Sequence, residues 1–143
     1  MLTGRFPHSI DASGRIVVPS KLRDDLGELV YFTLSTSRPG IEGFTAAAYE
    51  KLAGGYRDYY EEFPDEADFF FENTFAVTID KQGRALLPQQ LRQDANLKEN
   101  IITVGQFDKI LIKNAEDAAK PVSSERRKEV SILINARIRE SGN

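Results

Sequence analysis

The chain has 143 residues, 41% hydrophobic and 29% charged, a balance that fits one or two small globular domains and excludes a disordered chain. It has no cysteine and a single histidine, His8, so disulfides and thiolate metal sites are excluded and no His pair exists for a metal. No apolar run reaches the roughly 18 residues of a membrane span and no charged-then-apolar leader opens the chain, which makes the cytoplasm the expected location.

In chain order, residues 5–10 read as a strand leading into a turn. Asp11 opens that turn, because its carboxylate accepts hydrogen bonds from amides a few residues on, and Gly14 supplies a positive φ. Arg15 to Val18 is a short β-branched strand. Pro19 suits the first position of a helix, Leu22 and Leu26 share one face of it, and Gly27 stops it in the left-handed region. Residues 29–34 are a further strand, 35–40 a loop and 41–44 a closing strand.

Residues 46–63 predict a helix, with Tyr49, Leu52, Tyr56, Tyr59, Tyr60 and Phe63 at roughly helical spacing. Gly54 and Gly55 weaken it and Pro64 ends it; a second helix is expected over 65–75, with Phe69, Phe70 and Phe71 partly buried. These aromatics stand among acidic residues, so they read as packing and not as a base-stacking platform.

From Ile79 the chain repeats itself. Residues 10–25 align without gaps on 79–94 at a constant offset of 69 (80 − 11 = 69; 92 − 23 = 69), with 8 of 16 positions identical. Composition alone gives roughly one match. Phe6 and Phe75 keep the offset, and Asn96, which tolerates positive φ, stands at 27 + 69 = 96. Strands at 101–104 and 110–112 answer those at 29–34 and 41–44. Each copy thus reads as about four short strands and one short helix. Strands this short bury no core alone, so the two copies are expected to pair with each other. Beyond Pro121, Ser124 is expected to cap a helix with Val130, Leu133, Ile134 and Ile138 on one face.

The net charge of −3 argues against an evenly basic nucleic-acid binder, but it is unevenly spread. Residues 1–26 carry four cations and three anions (+1), 79–98 four and two (+2), 45–78 two and eight (−6), and 120–143 six and three (+3). A basic patch built from the repeats is compatible with a negative total.

Arg15 and Arg84 follow glycines at the edges of tight turns. A guanidinium there either reaches a phosphate or a guanine, or closes an ion pair with Asp11 or Asp80 four residues back. Arg23 and Arg92 lie one helical turn beyond proline, placed for a phosphate or for a carboxylate of the partner repeat; Lys21 and Lys81 are exposed by position. No carboxylate pair, phosphate loop, nucleophile elbow or metal-ligand spacing supports an enzyme.

The doubled Asp-x-x-Gly-Arg-x-x-x-Pro-x-x-x-Arg, at Asp11–Arg23 and Asp80–Arg92, resembles the MraZ family, whose repeats resemble AbrB-type swapped-hairpin DNA-binding domains. The Met1-Leu2-Thr3-Gly4 start, the Phe69-Phe70-Phe71 run and Val104-Gly105-Gln106-Phe107 are similar to the family as well, so the resemblance covers roughly residues 1–119. It implies an α+β fold: two tandem AbrB-like swapped-hairpin repeats forming one pseudo-symmetric β-barrel with flanking helices. The divisions are 1–48 and 74–119 for the repeats, 49–73 for an acidic helical connector and 120–143 for a helical tail. It further implies a cytoplasmic, nucleoid-associated regulator of the division and cell-wall operon that binds tandem short DNA repeats as a homo-oligomeric ring. No cofactor, metal, membrane or small-molecule substrate is expected. Arg15 and Arg84 match the family's DNA-contacting element; Lys21, Arg23, Arg92 and Lys81 are further DNA-binding candidates, and Asp11, Gly14, Asp80 and Gly83 are structural. The alternative is a ring-forming scaffold or a module that holds a protein partner without specific DNA binding.

Overall fold

A computed structural model describes residues 1–142. The first repeat folds as β1 (Arg5–Ser9), β2 (Arg15–Val17), α1 (Ser20–Leu26), β3 (Leu29–Leu34) and β4 (Ile41–Phe44). Helices α2 (Ala46–Asp58) and α3 (Pro64–Glu72) follow. The second repeat gives β5 (Phe75–Thr78), β6 (Arg84–Leu86), α4 (Gln89–Asp94), β7 (Asn100–Gly105) and β8 (Lys109–Asn114). After a 3-10 turn at Ala115–Asp117 the chain ends in α5 (Ser124–Glu140).

The main sheet has six antiparallel strands in the order β1-β7-β8-β4-β3-β5, and β2 and β6 form a separate two-stranded ribbon. The pairing is crossed. β1 lies on β7 (Phe6 opposite Thr103), β5 lies on β3 (Phe75 opposite Phe32), and β4 and β8 meet in the middle (Gly43 opposite Ile110). The leading strand of each half therefore completes the hairpin of the other. The core is shared in the same way: Ile16, Val18, Leu22 and Ile41 interlock with Leu87, Leu91, Ile101 and Ile112, all at 1% exposure or less.

The expected closed barrel does not form. The sheet is open, with β1 and β5 as its two edges. Pro7 lies within β1 and has no N–H to offer a further neighbour, which suits an edge strand.

Several local expectations shift for identifiable reasons. Pro19 and Pro88 sit at the N-caps and not the first helical positions, with extended ψ of 131° and 133°. Gly27 and Asn96 both take positive φ (84° and 52°), but ψ at Gly27 is extended, so the chain leaves α1 directly toward β3. Helix α2 stops at Asp58, five residues early, and Pro64 opens α3 instead of closing α2, because proline lacks the amide that a first-turn residue leaves unused. Ser123, not Ser124, caps α5, accepting from the Arg126 amide at 3.1 Å. Phe70 is buried, while Phe69 and Phe71 are exposed.

The connector is held to the sheet by aromatic packing. Tyr31 of β3 stacks on Tyr49 of α2 at 4.3 Å, Tyr49 lies 5.7 Å from Phe70 of α3, and Phe70 stacks on Tyr56 at 3.9 Å. Gly54 and Gly55, inside α2, each weaken the helix by about 1 kcal/mol relative to alanine, yet a Cβ at either would meet nothing within 4 Å.

Leu91 is fully buried at the contact between the repeats. Leu91→Ala should cost about 2–5 kcal/mol, read as a lower urea midpoint at unchanged slope. A smaller loss would mean that the halves do not share one core.

Candidate nucleic-acid interface

The two motif turns are built alike. The Oδ1 of Asp11 accepts from the amides of Ser13 and Arg15, both at 2.9 Å; the Oδ1 of Asp80 accepts from those of Gln82 and Arg84 at the same distance. Gly14 and Gly83, at φ 85° and 80°, turn the chain back, and their amides donate to the carbonyls of Asp11 and Asp80. Beyond the turns, β2 and β6 pair antiparallel, Arg15 opposite Leu86 and Val17 opposite Arg84. The Val18 amide donates to the Gly83 carbonyl at 2.8 Å and the Leu87 amide to the Gly14 carbonyl at 2.9 Å. Each turn is therefore fastened to the strand of the other repeat.

The ribbon has two faces. Ile16 and Ala85 point into the core, while Arg15, Val17, Arg84 and Leu86 point out, with Val17 and Leu86 52% and 42% exposed. Two arginines thus flank two exposed apolar side chains on one narrow surface. Lys81 lies exposed in the second turn, and Lys21 and its counterpart Gln90 are exposed on α1 and α4. Among the described residues neither lysine has an ion-pair partner.

Arg23 and Arg92 are placed elsewhere. Arg23 Nε donates to the Val18 carbonyl at 2.8 Å and Arg92 Nε to the Leu87 carbonyl at 3.0 Å, both half-buried. Their guanidinium groups lie over the glycines of the opposite turns. A Cβ at Gly14 would come within 2.7 Å of Arg92 Nη2, and a Cβ at Gly83 would run into the Arg23 guanidinium. These arginines pack against the turns, and the group of the partner repeat that they meet is a glycine, not a carboxylate.

The ion pair that the Asp-x-x-x-Arg spacing allows forms in one copy only. Arg84 Nε donates to Asp80 Oδ2 at 3.0 Å. In the first copy Arg15 Nη1 donates to Ser13 Oγ at 3.1 Å, and Ser13 Oγ donates to Asp11 Oδ1 at 2.6 Å. The difference follows from Ser13, whose counterpart at 13 + 69 = 82 is Gln82. The Ser13 hydroxyl and the Arg15 amide hold the Asp11 carboxyl below the usual carboxylate range; at Asp80 the Arg84 amide, then its guanidinium, does the same.

A family model described as "MraZ protein, putative antitoxin-like" matches residues 1–67 and 70–117. The chain belongs to the MraZ family. It is 32% identical over 120 residues to a "Transcriptional regulator MraZ" of Clostridium botulinum, covering 81% of this chain and 83% of that one. A protein of the same name from Lachnoclostridium phytofermentans is 34% identical over 122 residues, with the same coverages. A third, from Caldicellulosiruptor bescii, is 31% identical over 132 residues, covering 87% and 89%.

In this MraZ chain sequence reasoning singled out Arg15 and Arg84 but not Val17 and Leu86, which share their face. The signal was present: in a three-residue strand with a buried centre, the residues on either side of it face outward together.

Two outcomes test this geometry. Arg23→Ala and Arg92→Ala should each cost about 1–3 kcal/mol, because each leaves a half-buried carbonyl without its donor, whereas Arg15→Ala should leave the urea midpoint nearly unchanged. Equal effects at all three positions would remove the support role. The lowered Asp11 and Asp80 carboxyls contribute stability that is complete above about pH 5 and lost as pH falls through their folded values, below the ordinary carboxylate value of about 4. Asp11→Asn with Asp80→Asn should flatten that acid limb in a denaturation series across pH; an unchanged limb would show that other carboxylates carry it.

Proposed function

We propose that the chain is a sequence-specific DNA-binding transcriptional regulator that reads DNA with the outer face of the β2–β6 ribbon. The observation that carries this reading is the convergence of Arg15 and Arg84, one from each repeat, around exposed Val17 and Leu86. A two-stranded ribbon fits the major groove, arginine pairs bidentately with guanine O6 and N7, and apolar side chains meet the thymine methyl. The names of the relatives support transcription regulation and no enzymatic role.

On this reading residues 1–48 and 74–119 are two AbrB-like swapped-hairpin repeats that make one reading head, 49–73 is a connector and 120–143 a tail. Lys81 and Lys21 supply phosphate contacts, while Arg23 and Arg92 act on DNA only through the turns they support. Because the chain as a whole is negative at −3, one head binds weakly, and a homo-oligomeric ring on tandem short G-rich repeats replaces single-site affinity with avidity. The target is the division and cell-wall operon, and the address is the nucleoid within the cytoplasm. No helix among the described residues is long and apolar enough to cross a membrane.

Fluorescence anisotropy with a duplex from the gene's upstream region, beside a scrambled duplex, tests the reading. The wild-type chain should prefer the native duplex. Arg15→Ala with Arg84→Ala should abolish that preference, at about 1–3 kcal/mol per lost bidentate contact, and leave a salt-dependent residual binding. Equal binding of both duplexes by the wild type would turn the reading toward a scaffold or partner-holding protein.

A further inference from the structure

Helix α5 carries two unlike faces. Val130, Ile134 and Ile138 follow one another at four-residue steps, with Leu133, Arg127 and Arg137 on the same side. Glu125, Glu129 and Glu140 lie on another side with Ile132 and Ala136. The first face is therefore apolar and cationic at its centre, with Glu129 and Glu140 at the edge beside Leu133. It packs on nothing substantial in its own chain: every residue of α5 except Val130 and Ala136 is exposed, Leu133 and Ile134 by more than half. Among the described residues neither Arg127 nor Arg137 has an ion-pair partner; Arg126 is held by Glu129 at 3.1 Å.

A complementary surface lies on the connector. The groove between α2 and α3 is lined by Leu52, Tyr56, Tyr59, Phe63 and Ala67, with Glu66 at its rim and Gly55 among its walls. Tyr59 and Phe63 are 64% and 49% exposed, a cost in water that nothing in the chain offsets. Glu61, Glu62, Asp65 and Glu66 crowd the loop and helix start beside it. The glycine in the wall weakens α2 and answers to no contact within the chain, since a Cβ there would meet nothing within 4 Å. Such a position leaves room for another element to approach closely.

We infer that the apolar, arginine-bearing face of α5 docks in the α2–α3 groove of a second copy of this chain, Arg127 and Arg137 against the acids of the rim. Charge complementarity fixes the occupant: the tail is +3 over residues 120–143 and the segment 45–78 is −6, so each chain carries one knob and one matching socket at different places. A contact between two different patches is heterologous and propagates from chain to chain, giving a ring where the rotation between neighbours closes. The inference rests on the self-assembly in the proposed function and names its surface.

Sedimentation velocity of the full chain, without DNA, tests it. The wild type should sediment as an oligomer. Gly55→Leu, which fills the groove with a good helix former in open space, should weaken association roughly 100-fold or more while circular dichroism is retained. Arg127→Glu with Arg137→Glu should be monomeric alone, as should Glu62→Lys with Glu66→Lys. Mixed, these two charge-reversed chains should reassemble, because each helix then meets a groove of opposite charge. A monomeric wild type would overturn self-assembly and the docking together. An oligomeric wild type whose Gly55→Leu and charge-reversed forms stay oligomeric would overturn the docking alone.

Discussion

The structure depends on two arginines that cross. Arg23 leaves α1 of the first repeat and lies over Gly83 of the second; Arg92 leaves α4 of the second and lies over Gly14 of the first. Each also donates to a carbonyl at the end of its own motif strand, so helix, strand and foreign turn are fixed by one side chain. The glycines are doubly constrained. They turn the chain at positive φ, and any side chain would displace the guanidinium packed on them. With the crossed amide bonds of Val18 and Leu87, neither turn is complete without the opposite repeat.

This constraint sorts the basic residues. Four arginines occur at equivalent motif positions, but only Arg15 and Arg84 stand on the outer face of the ribbon. The exposed pair is also unequal. Arg84 is drawn directly onto Asp80, while Arg15 is held through the Ser13 hydroxyl. Contact with a phosphate or a base edge therefore competes with an ion pair in one repeat and with a hydrogen bond to an uncharged hydroxyl in the other. A chain with net charge −3 reads a polyanion on this account because its largest excess of acid, −6, lies in the connector, away from the ribbon face that carries Arg15 and Arg84, with affinity gathered from several chains.

Much of this was legible in the residues. The constant offset of 69 marked the equivalent halves, and the Asp-x-x-Gly-Arg spacing marked the turns, because an aspartate that accepts two amides and a glycine at positive φ are local requirements. What sequence left open depends on contacts between distant residues. Arg23 and Arg92 had equal claims on a phosphate and on a carboxylate of the partner repeat; with β2 and β6 paired, each guanidinium lies against the opposite glycine instead of a carboxylate. The open sheet was hidden for the same reason: nothing local states that β1 and β5 each take a place on the opposite hairpin and do not meet each other. The boundary at Pro64 was misjudged because proline suits a helix start as well as it follows a helix end.

The central claim is that each turn is positioned by the other repeat's arginine and presents its own arginine to DNA. A double-mutant cycle on DNA affinity tests it most directly. If Arg92 acts through the turn that carries Gly14, then Arg92→Ala and Arg15→Ala should be non-additive, with a coupling of about 0.5–3 kcal/mol, whereas Arg92→Ala and Arg84→Ala should add to within about 0.5 kcal/mol. Additivity in both pairs, with a full separate loss from Arg92→Ala, would make Arg92 a direct DNA contact and contradict the crossed support.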